Sequence, residues 1–352
     1  MKDQLKDFRN FLFVIWDHLG LPNPSDVQYD IANYLQDGPQ RRIIQAFRGC
    51  GKSWITVAYV LWRLYLDPKI NIEVISASGR AADDFSTFCF QLINDIEILR
   101  HLRPHGDQRS SKVQFDVGPA GISKDPSVKS VGITGQITGT RADIIIADDI
   151  EISTNCDTQT ARDKLEYKVK EFTSILKPGG EIIYLGTPHT EDSLYSKLTE
   201  RTGFTTQIWP LLVPTEKERL FYGEKLAPSI DKMYTNELNR GESVWPERFS
   251  DEEVNKRQLE GKTNFQMQQM LNPLLADEDR YPLKLSDLVV MDVDPARAPE
   301  EIVWASDPDL AWGNDIPNVG FSGDRMYRPM KCVGDWLTYE GIVMAIDPSG
   351  RG

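Results

Sequence analysis

The stretch from Arg42 to Thr56, RIIQAFRGCGKSWIT, limits the possible folds of this chain more than any other. Ile43 to Phe47 is a short apolar run with β-branched residues and reads as a strand. Trp54 to Leu66 (WITVAYVLWRLYL) is too long an apolar run for a strand, carries Thr56, Ala58 and Arg63, and reads as a helix. Between them lies Arg48-Gly-Cys-Gly-Lys-Ser53. Its glycines let backbone N–H groups wrap an anion at the start of the helix, Lys52 adds a mobile positive charge, and Ser53 offers a hydroxyl to a divalent cation. The full G-x-x-x-x-G-K-[ST] pattern wants glycine where this chain has Ala46. The setting, after a strand and opening a helix, is the context that pattern requires.

A 352-residue chain exceeds the size that one hydrophobic core usually serves, so one large domain and a smaller one are expected. A net charge of −13 argues against wholesale coating of nucleic acid and leaves room for a local basic patch. Cys50, Cys89, Cys156 and Cys332 form no CxxC pair, and His18, His101, His105 and His189 supply no zinc-type spacing, so a reduced, zinc-free protein is expected. The apolar run Phe11 to Trp16 is far too short to span a bilayer.

Along the chain, strand-like and helix-like runs alternate as expected of an α/β fold with a mostly parallel sheet flanked by helices. The strands are Ile43 to Phe47, Ile70 to Ser76, Val113 to Val117, Val128 to Ile133, Ala142 to Asp148 and Glu181 to Gly186. The helices are Val27 to Leu35, Trp54 to Leu66, Arg80 to Leu99 and Thr158 to Leu176. Gly132 to Gly139 is glycine-punctuated enough to be mobile. The loop His101 to Lys112, with Arg103, Arg109 and Lys112, suits contact with DNA phosphates. The resulting division is a core over 1–203, a small, mostly helical lid lobe over 204–275, an extended linker with little structure of its own over 276–340, and one apolar strand within 341–352.

Open parallel sheets bind nucleotides at the carboxyl ends of their strands, and ADIIIADDIE (Ala142 to Glu151) delivers acids to that edge. Phosphoryl transfer needs held phosphates, a metal, a group to orient water, and positive charge in the transition state. Lys52 and the loop amides of Arg48, Gly49, Cys50 and Gly51 suit the phosphates of ATP, and Ser53 with Asp148 suits Mg²⁺. Asp149 is placed to polarise water, with Glu151 in reserve. Two arginines compete for the transition-state role, Arg48 in cis and Arg141 toward a neighbouring subunit. Thr187, at the end of a strand, is placed to sense the γ-phosphate. Gln28 has an amide that matches an adenine edge and would favour ATP over GTP.

Together the Gln28 helix, QAFRGCGKS (45–53), SVGITGQITGTRADIIIADDIE (130–151), YLGTPHT (184–190), WPERF (245–249), the segment Phe265 to Pro273 and AIDPSGRG (345–352) resemble the large terminase subunit of short-tailed, podovirus-type phages. The likeness runs through most of the chain and keeps the motif order. It implies an ASCE-type P-loop NTPase with a lid, a linker, and the start of an RNase H-like nuclease. By the resemblance Gln28 contacts adenine, Lys52 and Ser53 are the Walker A pair, Asp148 is the Walker B acid, and Asp149 is the catalytic acid. Arg141 becomes a finger acting in trans, and Thr187 the coupling residue. Asp347 resembles the first metal carboxylate of the nuclease. Only five residues follow it, so no DNA cleavage is expected from this chain.

The activity so implied is ATP-driven translocation of double-stranded DNA through a portal into a procapsid, in the host cytoplasm. The implied partners are the portal, the small terminase subunit and further copies in a pentameric ring, the isolated chain being free to be a monomer. A helicase-like remodeller of the same fold is the alternative, and a non-enzymatic docking subunit with a degenerate site a third reading.

Overall fold

The computed structural model describes residues 3–189, 193–201, 203–236, 239–273, 291, 294, 296–303 and 327–341. The chain divides into two compact units, Met1–Ala276 and Asp277–Gly352. The first opens with helices α1 (Phe8–His18) and α2 (Asp26–Asp37), and α2 starts at Ser25, whose side chain and that of Gln28 cap each other's backbone N–H groups. Strand β1 (Arg41–Ala46), helix α3 (Lys52–Leu66), strand β2 (Ile72–Ser76) and helix α4 (Gly79–Asp95) follow. Next come β3 (Gln114–Phe115), β4 (Val128–Gly132), β5 (Ala142–Asp148), α5 (Ser153–Cys156), α6 (Gln159–Ile175), β6 (Leu176–Gly186), α7 (Leu194–Arg201) and β7 (Thr205–Trp209). Four further helices complete the unit: α8 (Glu216–Tyr222), α9 (Pro228–Tyr234), α10 (Asp251–Glu260) and α11 (Lys262–Gln268).

One seven-stranded sheet, ordered β3-β4-β2-β5-β6-β1-β7, carries the unit, and every pairing in it is parallel except β3 with β4. Alternation along the strands divides the interior into two cores. Ile44, Ile72, Val74, Ile144, Ile146, Ile183 and Leu185 pack with α1, α2, α3 and α4 on one face. Ile43, Ile75, Ile145, Ala147, Ile182 and Tyr184 pack with α6 and α7 on the other. Side chains of neighbouring residues leave a strand on opposite faces, so a sheet covered on both sides needs apolar residues at successive positions, as IIIA supplies in β5.

Several expectations are corrected. Strand β7, assigned by sequence to the lobe after residue 203, pairs with β1 from Arg42↔Thr205 to Ala46↔Trp209 and is an edge strand of the core sheet. Its Thr206, Ile208 and Trp209 are buried, which is the reason it belongs there. The supposed linker contains an antiparallel pair, β8 (Arg297–Val303) with β9 (Lys331–Thr338), in the second unit. The glycine-rich segment after β4 is anchored: Ile133 and Ile137 are buried in the second core, and Lys129 Nζ donates to the Ile137 carbonyl at 3.1 Å. The basic loop spends its guanidinium groups internally. Arg109 bonds Asp116 at 3.0 Å and the carbonyls of Ser123 and Lys124, and Arg103 bonds the Asn94 carbonyl.

At the opening of β1 the Arg42 side chain is 1% exposed and is held by the carbonyls of Leu35 and Pro39, the Tyr59 hydroxyl and Glu181. Glu181 also accepts from Arg63 at 2.6 Å. Burial raises its pKa, but the two guanidinium groups outweigh this and hold the carboxyl below its ordinary value. Glu181→Ala leaves Arg42 buried without its counter-charge, and equilibrium denaturation should record a loss of about 3 kcal/mol. A loss under about 1 kcal/mol would show that the backbone carbonyls suffice.

Candidate nucleotide and metal site

Helix α3 begins at Lys52 with Gly51 before it at φ 87° and no side-chain cap. Gly49, at φ 96°, also lies in the left-handed region open to glycine. The first-turn N–H groups of an α-helix have no intrahelical acceptor, so an uncapped start beside a glycine loop leaves them for an anion.

Sheet register brings the acids to the same place. Ile44 of β1 and Asp148 of β5 both pair with Leu185 of β6, so the residues just beyond each strand meet at one edge. There Lys52 Nζ donates to the Ala46 carbonyl at 2.6 Å and to Thr187 Oγ1 at 3.4 Å. Asp148 is 8% exposed and has the Ser53 hydroxyl beside it, while its Oδ1 is buried without a partner among the described residues. Burial, then the adjacent charge of Asp149, pushes the Asp148 carboxyl up to about 7 against the pull of Ser53 and Lys52.

An unsatisfied buried carboxylate oxygen beside a serine hydroxyl fits Mg²⁺, a cation that takes oxygen ligands and keeps several waters. No group of three or more His, Cys, Asp or Glu side chains converges among the described residues. The rest of the shell would therefore come from phosphate and water.

Asp149 follows at φ 46°, a backbone state rare outside glycine, held by its N–H to the Leu185 carbonyl at 2.8 Å. The turn sets it exposed on the wall of a cleft of about 1060 Å³, together with Arg48, Lys52, Ser53 and Thr187. Glu151 also borders the cleft, but its carboxylate accepts from the backbone of His189 at 3.0 Å and Leu194 at 2.6 Å and from Ser193 Oγ at 3.1 Å. Burial raises its pKa. It braces the loop after β6, so its place as reserve acid passes behind Asp149.

The remaining candidates divide. Arg48 borders the cleft, and its N–H and guanidinium both reach Gln268, at 2.9 and 3.5 Å. Gln28 donates to the Cys50 carbonyl at 2.8 Å and supports the loop, while Cys50 is fully buried, its thiol pushed up by burial. Arg141 lies at the opposite end of β5, its N–H on Asp125 and its guanidinium on the Ser174 carbonyl at 2.8 Å. Asp347 falls outside the described residues. Five residues on the cleft wall, Trp54, Ile152, Ser153, His189 and Gln268, were not expected from sequence. His189, its pKa lowered mainly by burial, stood within YLGTPHT and Gln268 within Phe265 to Pro273, but the 220 positions between Gln268 and Arg48 hid their contact.

A parallel sheet in which β6 separates the loop strand from the acid strand, with lysine, serine and aspartate gathered at its carboxyl edge, is the fold of a P-loop NTPase. Over 357 residues the chain is 46% identical to the "Terminase, large subunit" of Enterobacteria phage T3, a match covering 99% of this chain and 61% of that protein. The chain is thus related, through nearly all of its own length, to phage large terminase subunits, and it spans 61% of the length of that relative. No family model matches it.

Similar solved structures include the large terminase ATPase domain of Thermus phage P74-26, at 16% identity and TM-score 0.43 over 73% of this chain and 96% of that one. They also include the large terminase of bacteriophage HK97, at 14% identity and TM-score 0.37 over 60% of this chain and 47% of that one.

Between the ordinary aspartate range near pH 4 and pH 7, the folded chain holds a proton on Asp148 that the unfolded chain has released, so stability falls as pH rises through that window. Asp148→Asn removes this titration. Its melting temperature should gain on wild type steadily from pH 4 to 7, by at most about 4 kcal/mol in stability. A difference independent of pH would mean that Asp148 is ionised throughout.

Proposed function

We propose that this chain hydrolyses ATP and that hydrolysis drives double-stranded DNA through a portal into a procapsid, the chain acting as the ATPase part of a large terminase subunit. The observation carrying the proposal is the meeting of Lys52, Ser53, Asp148 and Thr187 at one sheet edge, with a buried Asp148 oxygen left unsatisfied. Relationship to a terminase large subunit supplies the substrate class. Double-stranded DNA, the portal, a small terminase subunit and further copies in a pentameric ring are the partners that follow.

In this reading the uncapped start of α3 and the loop amides bind the β- and γ-phosphates, and Lys52 exchanges the Ala46 carbonyl for phosphate oxygen. Ser53 and Asp148 would hold Mg²⁺, which neutralises phosphate charge when bound. Asp149, turned into the cleft, orients the attacking water. Thr187, already beside Lys52, senses the γ-phosphate and relays its presence along the strand end.

Arg141 cannot serve its own cleft. Asp148 lies seven positions further along β5, about 23 Å at the rise of a strand. Its guanidinium, exposed and fixed on a backbone carbonyl, is suited to a neighbour's nucleotide. Arg48 remains the cis arginine.

Phosphate release measured with procapsids and DNA should fall below detection for Lys52→Ala, and by about 10³-fold for Asp149→Asn with ATP binding kept. Wild-type turnover in Lys52→Ala would overturn the reading. Mixing Arg141→Ala chains into wild type should depress turnover more than in proportion to their fraction, whereas a linear response would assign the transition-state charge to Arg48.

A further inference from the structure

The segment between β4 and β5 is rich in glycine and ends at Arg141, the residue read above as serving a neighbouring copy. Gly132, Gly135 and Gly139, the last at φ 115°, give this backbone a freedom that would leave the side chain after it loosely placed. A pair of charges under the segment removes that freedom. Glu73 of β2 and Lys129 of β4 stand level in the sheet, and their side chains meet at 2.8 Å while only 2% and 14% exposed. Lys129 Nζ also donates to the Ile137 carbonyl and to Thr140 Oγ1, each at 3.1 Å, and the Thr140 hydroxyl donates to Glu73 Oε2 at 2.9 Å. The residue before Arg141 is thus tied into a closed ring of three polar side chains.

Arg141 itself is held at two more points. Its N–H donates to Asp125 Oδ1 at 3.1 Å, and Asn71 fixes the chain at that corner by donating to the carbonyls of Asp125 and Pro126 at 3.2 and 2.7 Å. Its guanidinium donates to the Ser174 carbonyl at 2.8 Å, in the last turn of α6, where helix carbonyls lack intrahelical donors. Stability does not require a charged pair under the segment, since apolar side chains of similar volume serve a buried position as well or better. What the pair adds is direction. A lysine whose donors are shared among a carboxylate, a carbonyl and a hydroxyl sets where each of those groups lies.

We propose that Glu73, Lys129 and Thr140 are positioning residues for Arg141, holding its backbone where the guanidinium can enter the phosphate cleft of a second copy of this chain. The inference rests on the reading of Arg141 as acting in trans and deepens it. A charge delivered to a transition state from another chain acts only if it arrives within about an ångström of its place. The glycines let the segment turn back from the carboxyl end of β4 to the opposite edge of the sheet, where β5 begins, and the polar ring then fixes its end.

The test separates the chain that gives the arginine from the chain that receives it. A donor chain carrying Asp149→Asn keeps Arg141 and scarcely turns over itself, and an acceptor chain carrying Arg141→Ala keeps its cleft. Mixed with procapsids and DNA, the two should release phosphate well above either alone. Thr140→Val in the donor, close in shape and without the hydroxyl's bonds, should lower the recovered release about tenfold. The same substitution in the acceptor, which has no Arg141 to place, should leave it unchanged. Glu73→Gln should repeat that asymmetry, and Thr140→Ser in the donor, which keeps the hydroxyl, should restore most of the release. Equal losses from either chain would make the ring a support of the fold alone and overturn the inference, as would no loss from the donor. No recovery in the unsubstituted mixture would remove the trans reading and the inference with it, while the ATPase reading is decided separately by wild type against Lys52→Ala.

Discussion

The parallel pairing of β6 with β1 on one side and β5 on the other is the constraint on which the site depends. Leu185 lies level with Ile44 and with Asp148, so a shift by two residues on either side would carry the acid about 7 Å from the lysine loop. What prevents a shift is burial on both faces. Ile183 and Leu185 fill one core and Ile182 and Tyr184 the other, and a slip of one residue would exchange those sets. At the far end Glu181 of β6 pairs with Arg42 of β1 and with Arg63 of α3, fastening that strand to both by charge. The hydrophobic pattern thus fixes geometry that the polar chemistry then uses.

The edge itself is costly. Asp148 is buried with one oxygen unmatched, Asp149 sits at positive φ, and the first turn of α3 has no cap. Each feature alone lowers stability, and the unmatched oxygen and the uncapped turn would both be relieved by one ligand set, a cation and phosphate oxygens. Asp148 raised toward neutrality by burial and by its acidic neighbour describes a site that waits for positive charge. The lysine meanwhile rests on a carbonyl, 3.4 Å from the threonine that lies beside it.

Contacts from late in the chain reach this edge. Gln268 takes the Arg48 N–H, Phe249 lies on Gly49, and Trp209 accepts the Phe47 N–H. These three make the phosphate loop a shared element, bound by the sheet on one side and by the segment after β7 on the other. The loop and that segment touch directly, without any intervening chain.

Much of this was legible beforehand. The phosphate loop, the acid strand and the parallel order carry strong local signals, because a glycine-lysine turn and a run of β-branched residues ending in aspartates each depend on nearest neighbours alone. The sequence determined that a lysine, a serine and two aspartates would lie at strand and helix ends. Other properties are decided by residues far apart in sequence. β7 joins the core sheet because its partner is β1, and Arg103 and Arg109 serve carbonyls and Asp116 that only folding brings near. Gln268 touches the loop across 220 positions. Glu151 reads in sequence like a catalytic acid, yet folding makes it the anchor of the loop after β6, since three donors meet at its carboxylate. Local chemistry names the groups; tertiary packing decides which remain free to act, because burial and partners arrive only with the whole chain.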